Sequence, residues 1–219
     1  MKAEEKNVSL TLRFTLFFVI FVIAVIAVVI TTSIHQYNDA ARMTNARLGL
    51  PTAKRAAAAI DGDAFEKLSK TLDPLDPFYE ETRLKLLAIK EETQCLYLYT
   101  MAPREGDRYR FIIDGGNPGE KGFSPLGTEE DTSDYDRSFR LTWETKTSQF
   151  GVLDLQKTWG FLISTYLPIF NSTGTMVGII GCDFEAESIF NAIFDRIKQQ
   201  AVLSAGLILT GFLLYLFLL

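Results

Sequence analysis

The sequence predicts an α+β domain held between two membrane-spanning helices, and three observations carry that prediction. Residues 14–34 and 201–219 are apolar runs free of Lys, Arg, Asp and Glu, each near the ~20 residues that a helix needs to cross a bilayer. The segment between them, residues 35–200, is long enough to bury a core of its own. Near residue 94 the apolar period changes from helical to alternating, so helices come first and strands follow.

The first run exceeds the ~7–15 apolar residues of a cleaved signal, and Thr31-Thr32-Ser33-Ile34-His35-Gln36-Tyr37 where it ends is a poor cleavage site, which favours an uncleaved anchor. Lys2, Lys6 and Arg13, partly offset by Glu4 and Glu5, put residues 1–13 in the cytoplasm by the positive-inside rule. The middle domain is then extracytoplasmic and the chain re-enters the membrane at Ala201. No output module follows.

From Ile34 a stripe of Ile34, Tyr37, Ala41, Thr44 and Leu48 continues at helical spacing, fit to pack on the domain or on a second copy. Pro51 lacks a backbone donor and predicts a kink at Gly49-Leu50-Pro51. Helix resumes through residues 56–59. A short helix is expected over 63–69, and Asp76-Pro77 caps another that reaches residue 92. Five strands follow, over 94–101, 109–113, 150–155, 160–170 and 176–184. In the first, Cys95, Tyr97 and Tyr99 share a face. Between the second and third lies a Gly- and Pro-rich lid, residues 117–135, with a short helix over 138–145; loops of that length serve function. Asn171-Ser172-Thr173-Gly174 is a hairpin turn that also reads as a glycosylation acceptor. A closing helix, 185–200, feeds the second run.

Composition excludes several chemistries. Three of the 22 Lys and Arg and two of the 27 Asp and Glu precede the first run, leaving the rest at about −6 with no basic patch, so nucleic acid is not a partner. The single His35 rules out Ser-His-Asp, Cys-His and His-zinc sites. Cys95 and Cys182 form no CxxC pair and read as buried thiols or, outside the cell, a disulfide. The acids Glu129, Glu130, Asp131, Asp134 and Asp136 lack the EF-hand pattern and read as a solvated loop. Residues 116–122 fail the phosphate-loop spacing. No cofactor is implied.

A two-strand unit, a long lid and a three-strand meander ending in Met176-Val177-Gly178-Ile179-Ile180-Gly181-Cys182-Asp183-Phe184 resembles the extracytoplasmic Cache (PAS-like) sensor domain of bacterial chemoreceptors, histidine kinases and diguanylate cyclases. Ala59-Ile60-Asp61-Gly62, Tyr97-Leu98-Tyr99, Phe111-Ile112-Ile113-Asp114-Gly115 and Tyr166-Leu167-Pro168-Ile169 add to it, over residues 35–200. The resemblance implies a five-stranded antiparallel sheet with the long helix on one face and a lidded small-molecule pocket on the other. It also implies a homodimer, a multi-pass place in the bacterial inner membrane, and first and last strands side by side, which would bring Cys95 and Cys182 into disulfide range. Arg140, Trp143, Tyr166 and Asp183 echo the amino-acid-binding subgroup, but its compact Arg-x-Trp-Tyr run is missing, so amino acids are not assigned.

The pocket candidates are Tyr97, Tyr99, Asp114, Tyr135, Trp143, Trp159, Ser164, Tyr166 and Asp183, since pockets combine apolar walls with a few convergent polar groups. Each has a plainer reading: the aromatics as core, Asp114 as a turn residue, Asp183 as a helix cap. The expected function is small-molecule sensing and transmembrane signalling, chemoreceptor-like. The alternatives are a membrane-anchored adaptor that binds a protein and, further off, a membrane-anchored hydrolase.

Overall fold

A computed structural model describes residues 10–104, 106 and 108–218; residues 1–9 of the expected cytoplasmic segment lie outside them. The chain divides into two units, residues 38–188 and a second formed by 1–37 with 189–219.

The larger unit begins with the end of helix α1 (Leu10–Thr44), which passes through a π-turn, Asn45–Gly49, into α2 (Leu50–Ala58). Pro51 has no N–H to continue the i→i−4 ladder, and Leu50 N–H bonds instead to Asn45 O. The expected kink is thus a widened turn just before the proline. The expected stripe is only partly the buried one. Ala41 is buried while Ile34 and Leu48 are exposed, and the buried line continues through Asn45, Gly49, Ala53 and Ala56.

Helix α3 (Gly62–Thr71) is capped by Asp61, which accepts from Asp63 N and Ala64 N; α4 (Pro77–Thr93) is capped by Asp76 with Pro77 at its first position. Gln94, in the left-handed region, ends α4 and turns the chain into the sheet. Six strands follow: β1 (Tyr97–Pro103), β2 (Arg108–Asp114), β3 (Glu129–Asp131), β4 (Gln149–Gln156), β5 (Gly160–Phe170) and β6 (Met176–Glu185), with α5 (Arg137–Thr145) before β4. The sheet is antiparallel in the order β3-β2-β1-β6-β5-β4. The α+β fold stands as expected, with one strand more. The sixth, β3, is a three-residue edge carved from the lid, where Glu129 meets Arg104, Arg108 and Arg110.

Strand alternation gives the sheet two unlike faces. On one, Leu98, Ala102, Leu167, Ile169, Ile180, Cys182 and Phe184 pack against α2, α3 and α4 through Ala53, Phe65, Leu68 and Leu86. On the other, Tyr99, Met101, Phe111, Tyr166 and Ile179 meet Tyr135 and Phe139. Cys95 belongs to the helix-side core with Leu98, not to the face of Tyr97 and Tyr99. The turn at Gln94 breaks the alternation before β1 begins. Cys95 and Cys182 are both buried free thiols, hydrogen-bonded to one another, so their expected proximity holds and no disulfide links them.

In the smaller unit the apolar part of α1 and the helix α6 (Glu187–Leu218) are long and apolar enough to cross a membrane. They meet through Phe18 against Phe212 and Tyr215, a Thr15–Tyr215 hydroxyl contact of 2.9 Å, and Ser33 Oγ donating to Gln200 Oε1.

Candidate functional site

On the face away from α2, α3 and α4, a small cleft lies between the sheet and the segment 115–128. Its walls are Tyr97 and Tyr99 of β1, Phe111 and Asp114 of β2, Gly122 and Ser124 of the lid, Tyr135 after β3, Trp159 of the β4–β5 turn and Asp183 of β6. The cleft is tight, with room for about one water.

The aromatic walls hold one another in place. Tyr97 meets Trp159 edge-on at 5.3 Å, Tyr99 meets Phe111 at 5.3 Å, and Phe111 meets Trp159 at 6.0 Å. Trp159 is fixed further by donating its indole N–H to Glu130 Oε1 at 3.0 Å, and the Tyr135 hydroxyl reaches the same oxygen. Gly181, opposite Tyr99 in the β1–β6 register, lets that ring lie across β6: a Cβ there would stand 2.3 Å from Tyr99 Cζ.

The lid is tied to the sheet. Asp114 Oδ1 accepts from Gly116 N at 2.7 Å and Oδ2 from Ser124 N at 2.8 Å, so one carboxyl clamps both sides of the loop. Arg83 donates to Gly116 O, while Phe111 exchanges backbone bonds with Gly127 and Thr128. Gly122, at φ +91°, brings the lid backbone against Tyr97, where a Cβ would lie 2.7 Å from the ring. The two plain readings of Asp114 merge: it is a turn residue whose carboxyl also lines the site.

Burial pushes the Tyr99, Tyr166 and Tyr135 phenols well above their ordinary range, and the neighbouring acids Asp183 and Glu130 add to it, so all three remain O–H donors. Burial also raises the Asp114 carboxyl, opposed by the Ser124 and Gly116 N–H groups. Glu130 rises for the same reason, opposed by Trp159.

Of the nine candidates the cleft gathers six: Tyr97, Tyr99, Asp114, Tyr135, Trp159 and Asp183. Tyr166 is fully buried behind it, edge-on to Phe139, its hydroxyl beside Ser164, Tyr99 and Asp183. Ser164, in register with Asp183, is likewise interior. Trp143 packs on Tyr109 at the outer part of that face, and Arg140 is exposed on α5. The echo of the amino-acid-binding set therefore reduces to Asp183. Sequence reasoning missed Phe111, Gly122 and Ser124, and it placed Glu130 in solvent. The Glu130 partner Trp159 is 29 residues away in sequence, and no local pattern joins them.

No protein-family model matches the chain, and no curated protein matches it. Among solved structures it is similar to the sensory domain of the Campylobacter jejuni chemoreceptor Tlp3 with isoleucine bound (12% identity, TM-score 0.40, 76% of this chain and 65% of that one). It is also similar to the periplasmic sensory domain of the Campylobacter jejuni chemoreceptor Tlp1 (10% identity, TM-score 0.46, 74% and 61%). A third is an extracellular ligand binding receptor from Desulfohalobium retbaense DSM5692 (17% identity, TM-score 0.43, 74% and 26%). The chain spans less than two thirds of the length of each of these three. With TM-scores below 0.5, these likenesses leave the reading of the site to its own geometry.

Proposed function

We propose that the chain is the sensing and anchoring part of a bacterial transmembrane receptor, with residues 35–200 outside the inner membrane and a small molecule as its ligand. A chemoreceptor-like homodimer is the form this takes. The observation that carries the reading is the cleft itself, where aromatic walls and two acids converge under a lid clamped by Asp114. Asp183 lies on β6, the strand that leads directly into α6. A ligand that binds one arrangement of lid and β6 better than another shifts the balance between them, which is the requirement for a signal.

The test is a thermal-shift screen of the full chain in detergent against amines, amino acids, organic acids and sugars. A ligand at 100 times its dissociation constant stabilises by about 2.7 kcal/mol, enough to move the melting temperature by several degrees. The expected result is a saturable shift that Asp183→Ala abolishes. A flat screen of well-folded protein would sink the sensing of these classes and turn attention to a protein partner.

A further inference from the structure

We infer that Cys95 and Cys182 form a thiol–disulfide exchange site that takes a small disulfide with cationic arms from a groove beside the end of α4. The site lies on the helix side of the sheet, apart from the cleft, and does not rest on the sensor reading.

The groove is open to solvent and many times roomier than the cleft. It runs between the last turns of α4, the lid and the end of β6, with Cys95 in its wall. Cys95 stands there because Gln94, in the left-handed region, ends α4 and turns the chain toward the sheet. Cys182 is not in that wall: it is wholly enclosed on β6, in register with Leu98 on one side and Thr165 on the other. A molecule in the groove therefore meets one sulfur of the pair, and the second waits behind it within hydrogen-bond reach. The direction of that bond suits the same division. It holds the Cys182 thiol up, with burial adding to it, and brings the Cys95 thiol down, helped by the Thr93 hydroxyl and Lys90 against burial. The thiolate is the attacking form, so Cys95 is both the reachable sulfur and the readier one.

The chemistry closes without another reactant. The Cys95 thiolate attacks one sulfur of the small disulfide; a mixed disulfide forms on Cys95 and the other half leaves as a thiolate, which takes up a proton. The Cys182 sulfur then gives up its proton and attacks Cys95 Sγ. That step forms the Cys95–Cys182 bond and releases the second half as a thiol. Two protein thiols are oxidised, and one small disulfide is reduced to two thiols.

Charge selects the arms. The groove carries Glu91, Glu120 and Glu185 against Lys90 alone, and the carbonyl end of α4 adds to the negative side. Amine arms are drawn into such a groove, and carboxylate arms are repelled.

The experiment treats the reduced full chain in detergent with cystamine, the neutral 2-hydroxyethyl disulfide or the dianionic dithiodiglycolate. Each rate is divided by that of free 2-mercaptoethanol, which removes the intrinsic difference between the reagents. Samples are quenched in acid and mapped by mass spectrometry. The adduct should appear first on Cys95 and give way to the Cys95–Cys182 disulfide. In Cys182→Ser it should persist, and in Cys95→Ser the folded chain should take none. The normalised rates should favour cystamine over dithiodiglycolate by about tenfold or more at low ionic strength, narrowing as salt is added. The early map of the unaltered chain identifies the attacked sulfur even if either variant fails to fold. An adduct that appears first on Cys182, or a chain that reacts only once unfolded, overturns the exchange site. A flat or reversed charge order overturns the cationic disulfide and the groove as its entry.

Discussion

Asn45→Ala isolates the contact that joins the long N-terminal helix to the sheet. Asn45 is 2% exposed; its Nδ2 donates to Gly151 O at 2.8 Å and its Oδ1 accepts from Thr165 Oγ1 at 2.7 Å. Truncation strands a buried carbonyl and a buried hydroxyl at once. Leaving such groups unmet costs about 1–3 kcal/mol each, so a total near 3 kcal/mol is expected after some relaxation. For a unit of this size that lowers the melting temperature by roughly 6–12 °C. Trp143 and Trp159 are the only tryptophans of the chain and both lie in the larger unit. Intrinsic fluorescence of the full chain therefore follows that unit without a contribution from the membrane helices. Thr165→Val removes one end of the same pair, so the double variant should be less destabilised than the sum of the singles. A loss below about 2 °C for Asn45→Ala, or strict additivity with Thr165→Val, would refute the account of the contact.

Other outcomes follow from the site. Gly181→Ala places a Cβ 2.3 Å from Tyr99 Cζ and should cost about 1–3 kcal/mol by overpacking while tilting that ring into the cleft; an unchanged melting curve would contradict it. Burial raises the Glu130 carboxyl in the folded state, so its contribution to stability is full below its unfolded value and is lost as pH rises through the folded one. Glu130→Gln keeps an acceptor for Trp159, and melting curves from pH 4 to 7 should then lose that downward component. The hydrogen bond between the thiols lowers Cys95 and raises Cys182, so Cys95 is the more acidic partner. Mild oxidant should join the pair; mass spectrometry showing two alkylatable thiols after oxidation and unfolding would rule that out.

The parts of the fold legible in the sequence are those written in local chemistry. Asp61 and Asp76-Pro77 announce their helices because a cap needs only its own first turn. The strand from Gly160 to Phe170 and the turn at Gly174 read directly, since alternation and a left-handed glycine are short-range signals. What escaped depends on distant partners. β3 pairs with β2 across the lid, and its Glu129 meets Arg104, Arg108 and Arg110, all distant in sequence. The π-turn follows from Pro51 but also from the sheet it must approach. Gly49 has room only for hydrogen there: a Cβ would stand 2.1 Å from Thr165 Oγ1. Among the site residues, position on the correct face put Tyr166 and Ser164 near the cleft, but depth within the face was not encoded. Their neighbours on β6 and α5 cover them.

That same geometry supplies a route from cleft to helix. Asp183 on the cleft face pairs in register with Ser164 of β5. The next residue, Thr165, points through to the opposite face and holds Asn45 in the π-turn. A ligand that displaces Asp183 would bias β5, and β5 is tied to the π-turn by the Thr165–Asn45 bond. Single π-turns recur at functional sites, and this one is joined to β5 through Asn45 and Thr165. Physical coupling requires an element with two arrangements that both ends bias, and this one can be read by hydrogen exchange. A saturating ligand found in the thermal-shift screen should change amide protection over 45–50 in the unaltered protein. In Thr165→Val the binding constant should hold within about twofold while that change disappears, because the valine keeps the β-branched shape and lacks the hydroxyl that bonds Asn45. A protection change that survives Thr165→Val would mean the cleft speaks to the helix by another path, through the β6–α6 junction.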